Sequence, residues 1–345
     1  MKNAQNRWIN SKLSTPPLFV NNPLIKSFIN NRLITYIRGV FFFSEAKEMD
    51  CEKKYQKKIV ICVIVLFLTS LIPGVLGYSF DDYFNEEENW AILVFGGAHG
   101  HELRFRNTTK HAYETFKDLG YDDDHIYYMH DVDSSEPGVD ALSSKTRVHQ
   151  SITGWMRQNS DENDNCCFYF IGHGGPAFSE RTFQIGIWNI TFQGWDFIFP
   201  EELNDWIDTV MCNVFTVILD SCLSGGFIKP LSRENRIVIT SSPKLWDSFA
   251  LSQECAFSYH FINKLAEDGS YGEAWMYADR EQLNLTNPEI PDYPFFERLG
   301  IILALKTTNP QLDDNGDGIG QGRFCKADEL PTGGDGYLAL NTYPV

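Results

Sequence analysis

Two glycine-bounded turns carry the residue types that nucleophilic chemistry needs. Gly172-His173-Gly174-Gly175 follows the apolar run Phe168 to Ile171, and Asp220-Ser221-Cys222-Leu223-Ser224-Gly225-Gly226 follows the apolar run Val214 to Leu219. A thiol attacks as its thiolate, and an imidazole beside it takes the proton or lowers the thiol pKa. Cys222 is therefore the candidate nucleophile and His173 the candidate base and acid. Attack on an acyl carbon creates an oxyanion that needs preorganised donors, and the backbone N–H groups of Gly174 and Cys222 are the natural pair. Glycine at 174 would let a substrate approach closely. A serine hydrolase using Ser221 or Ser224 is a weaker reading, because His173 has no comparable serine motif to serve.

These side chains meet only if the strands that precede them are neighbours. In an open α/β sheet the chemistry collects at the carboxyl ends of the strands. Trp90 to Phe95 reads as a first buried strand, Thr109 to Leu119 as a helix stopped by Gly120, and Ile126 to Met129 as a second strand followed by an acidic loop from Asp131 to Asp140. Lys145 to Gln158 has Val148, Ile152 and Trp155 at helical spacing, and the His173 strand follows it. Alternation between Thr182 and Trp195 predicts a hairpin, and Glu201 to Met211 a helix before the Cys222 strand. Arg236 to Thr240 reads as a strand, Cys255 to Ala266 and Gly272 to Leu285 as helices, and Ile301 to Leu305 as a strand or helix. Strands alternating with helices imply a mainly parallel sheet covered on both faces.

On these residues the chain resembles the caspase-like cysteine peptidases, and the legumain branch in particular. The likeness rests on Tyr169-Phe170 followed by His173-Gly174, on Asp220-Ser221-Cys222-Leu223-Ser224-Gly225, on Trp90 to Val94, on an Arg shortly before His111-Ala112-Tyr113, and on Ile239-Thr240-Ser241-Ser242. It implies a three-layer α/β fold with a mainly parallel six-stranded sheet, and hydrolysis of peptide bonds through a Cys222 thioester. It also implies a substrate-binding pocket for the P1 side chain from Arg104, Asp220 and Ser241. With Arg104 and Asp220 both facing in, the pocket would take an amide such as Asn, or Asp; with Arg104 turned away it would take Arg or Lys. Where the family carries an Asn that orients the histidine, this chain has Glu102, with His99 and His101 nearby. A transamidase or peptide ligase would share the chemistry up to the thioester, and an inactive binding protein would share only the fold. No cofactor is required by any of these.

The amino-terminal part reads as a leader. Lys53, Lys54, Lys57 and Lys58 precede an apolar run from Ile59 that continues to Gly77, the pattern of a secretory signal cleaved before Tyr78. Residues 59–77 are also nearly long enough to be an uncleaved membrane anchor. Met49 is the natural start of such a signal, which makes residues 1–48 an upstream extension, 49–77 the leader and 78–345 the peptidase domain. The expected location is secreted or extracytoplasmic. From Tyr78 onward the chain carries 18 Lys/Arg against 42 Asp/Glu, a surface that repels nucleic acid and anionic lipid. The expected partner is a peptide or protein substrate, with a membrane involved only through the anchor.

Three further signals complete the reading. Asp313, Asn315 and Asp317 alternate ahead of Gly318 as oxygen ligands in a Ca²⁺ loop, although the twelfth position is Phe324 and excludes a full EF-hand. Asn107, Asn189 and Asn284 lie in glycosylation sequons. Finally, if the His173 and Cys222 strands are parallel neighbours, Cys166 or Cys167 at the start of one could bridge to Cys212 at the start of the other.

Overall fold

The computed structural model describes residues 87–97, 103–130, 137–177, 182–189, 191, 193–251, 253–284, 309–322 and 334–344. All the described residues fall within one compact unit, Asp81–Val345. The expected leader (49–77), His99, His101, Glu102, residues 301–305 and Cys325 lie outside the described residues. Among the described residues no helix is long and apolar enough to cross a membrane.

The central sheet has seven strands. They are β1 (Asn89–Phe95), β2 (Ile126–His130), β3 (Val139–Leu142), β4 (Asn165–Ile171), β8 (Val214–Asp220), β9 (Arg236–Thr240) and β10 (Gln311–Asp313). Their order is β10-β9-β8-β4-β1-β2-β3, with every neighbouring pair parallel except β9 and β10. This corrects the expected six-stranded count: the sheet is mixed. β10 is only Gln-Leu-Asp, too short for an alternation signal, and β3 begins inside the stretch expected to be an acidic loop.

Strand residues alternate between two cores, as the two-residue period of a buried strand requires. Ala91, Leu93, Tyr169, Ile218 and Ile239 face one cluster. There they pack on α1 (Leu103–Asp118), α5 (Ala256–Leu265) and α6 (Tyr271–Asn284) through Phe116, Phe261 and Trp275. Ile92, Val94, Phe168, Val217 and Val238 face the other. That cluster is closed by α2 (Lys145–Gln150) with its continuation, and by α3 (Pro200–Ile207). Helices on both faces of one sheet make the three layers that the strand and helix order predicted.

The expected helix from Lys145 to Gln158 is interrupted. A π turn occupies Ser151–Met156, and a last helical turn spans Arg157–Asn159. The wider turn buries Met156 beside Val148 and Ile152 and leaves Trp155 half-buried. The predicted hairpin is present as β6 (Thr182–Asn189) and β7 (Gly194–Ile198), and β5 (His173–Ala177) joins it to form a separate three-stranded antiparallel sheet. After β8 come a short 3₁₀ turn, Ser224–Phe227, and α4 (Ile228–Leu231). Beyond β10, α7 (Tyr337–Asn341) follows, with its first turn bonded to Asp314 through the N–H groups of Gly336 and Ala339, 2.7 Å each.

Candidate active site

β4 and β8 lie side by side in register, and Ile171 faces Asp220 at their carboxyl ends. The Gly172 N–H donates to the Asp220 carbonyl, 3.1 Å, and extends the pairing one residue. His173 and Cys222 therefore each stand two residues past a matched pair, at the edge where open α/β sheets collect their chemistry. The turns also touch directly. A Cβ on Gly174 would collide with the Cys222 carbonyl oxygen and come within 2.7 Å of the Ser221 hydroxyl.

The cysteine turn is held from several sides. Leu223 has φ 58° and ψ 17°, a left-handed conformation that a branched residue adopts only where its surroundings impose it. Its N–H donates to the Trp246 carbonyl, 2.9 Å, and the Gly225 N–H to the Ser242 carbonyl, 2.8 Å. Gly226 packs against the Phe183 ring where a Cβ could not fit. The hydroxyls of Ser241 and Ser242 donate to the Ser221 carbonyl, at 3.4 and 3.0 Å. Ser241, expected to touch substrate, is fully buried and supports the turn instead.

Cys222 is half-buried, and its thiol donates to the Ser248 carbonyl at 3.7 Å. Burial pushes the thiol up to about 11, and the charges of Asp247 and Asp220 add to the rise, against the lowering effect of the Ser248 backbone, whose N–H side favours the thiolate. The resting sulfur is therefore protonated at neutral pH. Its backbone N–H makes no hydrogen bond to the described residues, which leaves that donor available to an oxyanion. His173 is exposed at the start of β5, and two aromatic rings flank its imidazole. Phe105 of α1 is 5.1 Å away between centroids and Trp195 of β7 is 5.4 Å away, both near perpendicular.

Asp220 does not line an open surface; it is 2 % exposed. Its Oδ1 accepts from the Ser248 hydroxyl at 2.7 Å, and its Oδ2 from the Ser258 hydroxyl and N–H at 2.6 and 3.2 Å. Burial raises this carboxyl, opposed by those serines and by Ser241. Asp220 thus anchors the segment leading into α5 to the end of β8. Arg104 is half-buried in the first turn of α1, where its carbonyl accepts from Thr108, 2.8 Å. The Thr108 hydroxyl in turn receives the Cys255 N–H, 2.9 Å. The Cys255 thiol, raised chiefly by burial, is pushed further up by the Asp220 charge and drawn down by that of Arg104, so both residues act on one neighbourhood.

Sequence reasoning missed the aromatic pair Phe105 and Trp195 and the serines 242, 248 and 258. Trp195 belongs to the expected hairpin, Ser258 to the expected helix from Cys255 to Ala266 and Ser242 to the run after the Arg236 strand, and no spacing in these segments marks a contact with the cysteine turn. Of the sequons, the Asn107 amide donates to the Gln253 carbonyl and the Asn189 amide to Asp196, each at 3.0 Å.

The acidic loop forms a second cluster. Carboxylate oxygens of Asp313, Asp317 and Asp335 all lie within 4.8 Å of one another. Asp335 joins the expected Asp313 and Asp317 in this cluster, and the Asn315 amide donates to the Asp317 carboxylate at 3.3 Å. Burial first, then the Asp313 charge, raises Asp335 to about 7. Three oxygens at this spacing suit a hard divalent cation. A separate cavity of about 370 Å³ at the β3 edge is lined by Val139, Asp140, Ser143 and Arg147, and by none of the candidate catalytic or acidic-cluster residues.

No family model matches the chain, and no curated protein matches it. Among solved structures, a protein of Geobacter sulfurreducens is similar at TM-score 0.41 and 11% identity, over 56% of this chain and 89% of that one.

Proposed function

We propose that the chain is an exported cysteine endopeptidase of the legumain type. The observation that carries this reading is the matched position of His173 and Cys222 beyond the paired residues Ile171 and Asp220. Two reactive side chains two residues past adjacent parallel strand ends suit a thiol–imidazole dyad.

Because the resting thiol is protonated, the base acts during attack rather than before it. Cys222 leaves its contact with the Ser248 carbonyl, His173 takes the thiol proton, and the sulfur bonds to the scissile carbonyl carbon. The carbonyl electron pair moves to oxygen, where the N–H groups of Cys222 and Gly174 receive it. On collapse the C–N bond breaks, and His173 returns its proton to the leaving amine. Water then attacks the thioester with His173 as base again, and the acid product leaves as the thiol re-forms.

The P1 selector in this reading is Arg104. Asp220 is already engaged by Ser248 and Ser258, so its charge reaches a substrate only through those serines. A cationic selector favours Asn or Asp at P1 over Arg or Lys. The acidic cluster is proposed as a structural Ca²⁺ site outside the catalytic steps.

Digestion of a peptide library by the purified chain, beside a Cys222→Ala control, tests the assignment. Cleavage after Asn or Asp that vanishes in the control supports it. Cleavage that survives Cys222→Ala sinks it.

A further inference from the structure

Cys166 and Cys212 lie at the opposite end of the strands from His173 and Cys222. Cys166 is the second residue of β4 and pairs in register with Phe215 of β8, three residues after Cys212. The chain on either side of Cys212 is fastened beside the start of β4. The Ser160 hydroxyl donates to the Met211 carbonyl at 3.0 Å, and the Asn213 N–H donates to the Asp164 carbonyl at 2.7 Å. Strand alternation then separates the two adjacent cysteines. Cys167 faces the α1/α5/α6 core, whereas Cys166 faces the α2/α3 core against which Cys212 packs. The Cys166 and Cys212 thiols are near enough for each to shift the ionisation of the other.

We propose that Cys166 and Cys212 are a disulfide-forming pair, closed by exchange with a low-molecular-weight disulfide such as oxidised glutathione. Cys212, the more exposed of the two, loses its proton and attacks one glutathione sulfur. The glutathione S–S bond breaks, a mixed disulfide forms on Cys212, and one glutathione leaves as thiolate. Cys166 then loses its proton and attacks the Cys212 sulfur, releasing the second glutathione. Two protein thiols and one small disulfide become one protein disulfide and two small thiols. The order follows from the surroundings: proximity to Cys166 and the charge of Arg236 lower the Cys212 thiol, while the same proximity, together with burial, raises that of Cys166.

The bond would close a chain loop that contains β5, β6 and β7, and so constrain the unfolded chain without touching the catalytic turn. It holds whether or not the chain is a peptidase. The test is oxidation of the purified full chain in a Cys222→Ala background with oxidised glutathione, followed by non-reducing tryptic mapping and thermal unfolding. The expected result is a cross-link joining the peptide with Cys166 and Cys167 to the peptide with Cys212. It should persist in Cys167→Ala and be lost in Cys166→Ala. Tm should rise by about 5–10 °C and fall back on reduction. A cross-link that survives Cys166→Ala, or a Cys212 glutathione adduct with no protein disulfide, overturns the proposal.

Discussion

Gly174 lies so close to Cys222 that a methyl group on it would overlap the Cys222 carbonyl oxygen. The His173 and Cys222 turns are thus packed backbone to backbone, and the distance between the proposed base and nucleophile depends on position 174 having no side chain. Gly174→Ala should push the turns apart and lower kcat/KM by about 100-fold or more, since misplacement by about 1 Å costs that much. Gly175→Ala is the control, because a Cβ there meets nothing within 4 Å. Equal loss in both variants would show that close packing at 174 is not what matters.

The elevated Cys222 thiol makes a prediction about pH. A sulfur pushed up to about 11 is alkylated slowly at pH 7, and its reaction with iodoacetamide should accelerate through pH 9 to 11. Folding favours the protonated thiol, so this group's contribution to stability is full below its unfolded pKa near 9 and is lost as pH rises through about 11. His173→Gln should abolish peptide turnover yet leave the alkylation profile nearly unchanged. Rapid alkylation of wild type at pH 6 would instead reveal a preformed ion pair.

The ring contacts of His173 give a third expectation. With the Phe105 and Trp195 rings beside it, the imidazole has a restricted set of orientations. Trp195→Ala should reduce kcat about 10-fold with KM little changed, and should move the acid limb of the pH profile. Trp195→Phe should restore most of both. Loss of activity with an unmoved acid limb would mark Trp195 as merely structural.

Selectivity separates Arg104 from Asp220. Arg104→Ala should remove the preference for Asn or Asp at P1, read as the ratio of kcat/KM values. Asp220→Ala should act first on stability, by about 2–4 kcal/mol in urea unfolding, because it strips the acceptor from the buried Ser258 hydroxyl and N–H. An unchanged P1 preference in Arg104→Ala would return the selector role to another residue.

Calcium binding should compete with protons at Asp335. Its carboxyl, raised to about 7, is held protonated in the folded chain below that pH. Its contribution to stability without metal is present below the unfolded value near 4 and falls away as pH climbs through about 7. Added Ca²⁺ should therefore raise Tm more at pH 8 than at pH 5, and Asp313→Asn should remove the difference. A Tm insensitive to Ca²⁺ at pH 8 would rule the site out.

The strands that carry His173 and Cys222 were legible because each is an unbroken apolar run stopped by a glycine turn, and burial on both faces demands such runs. Their adjacency and exact register were not, since neither run names its neighbour. Asp220 was readable as a residue beside the cysteine, and Ser241 from the run that follows the next strand, but neither as an inward-facing one. A residue at a strand end can turn either way, and here the serines of the segment before α5 drew Asp220 in. Strand alternation could have chosen Cys166 over Cys167, but only once the faces were known. Phe105 and Trp195 come from an α1 helix and a β7 strand far apart in sequence, and their meeting at His173 depends on the whole sheet.

β10 has an effect that reaches beyond this molecule. Without its three residues, β9 would form the border of the sheet, and its unpaired N–H and C=O groups would offer a template to any extended chain nearby. Running antiparallel along β9, Gln311 to Asp313 caps that border, and the acidic loop that follows brings like charges to it. The border strand is then only three residues long, and Leu312 is already bonded on its outer side to Gln321, so the edge offers a much shorter template than β9 would.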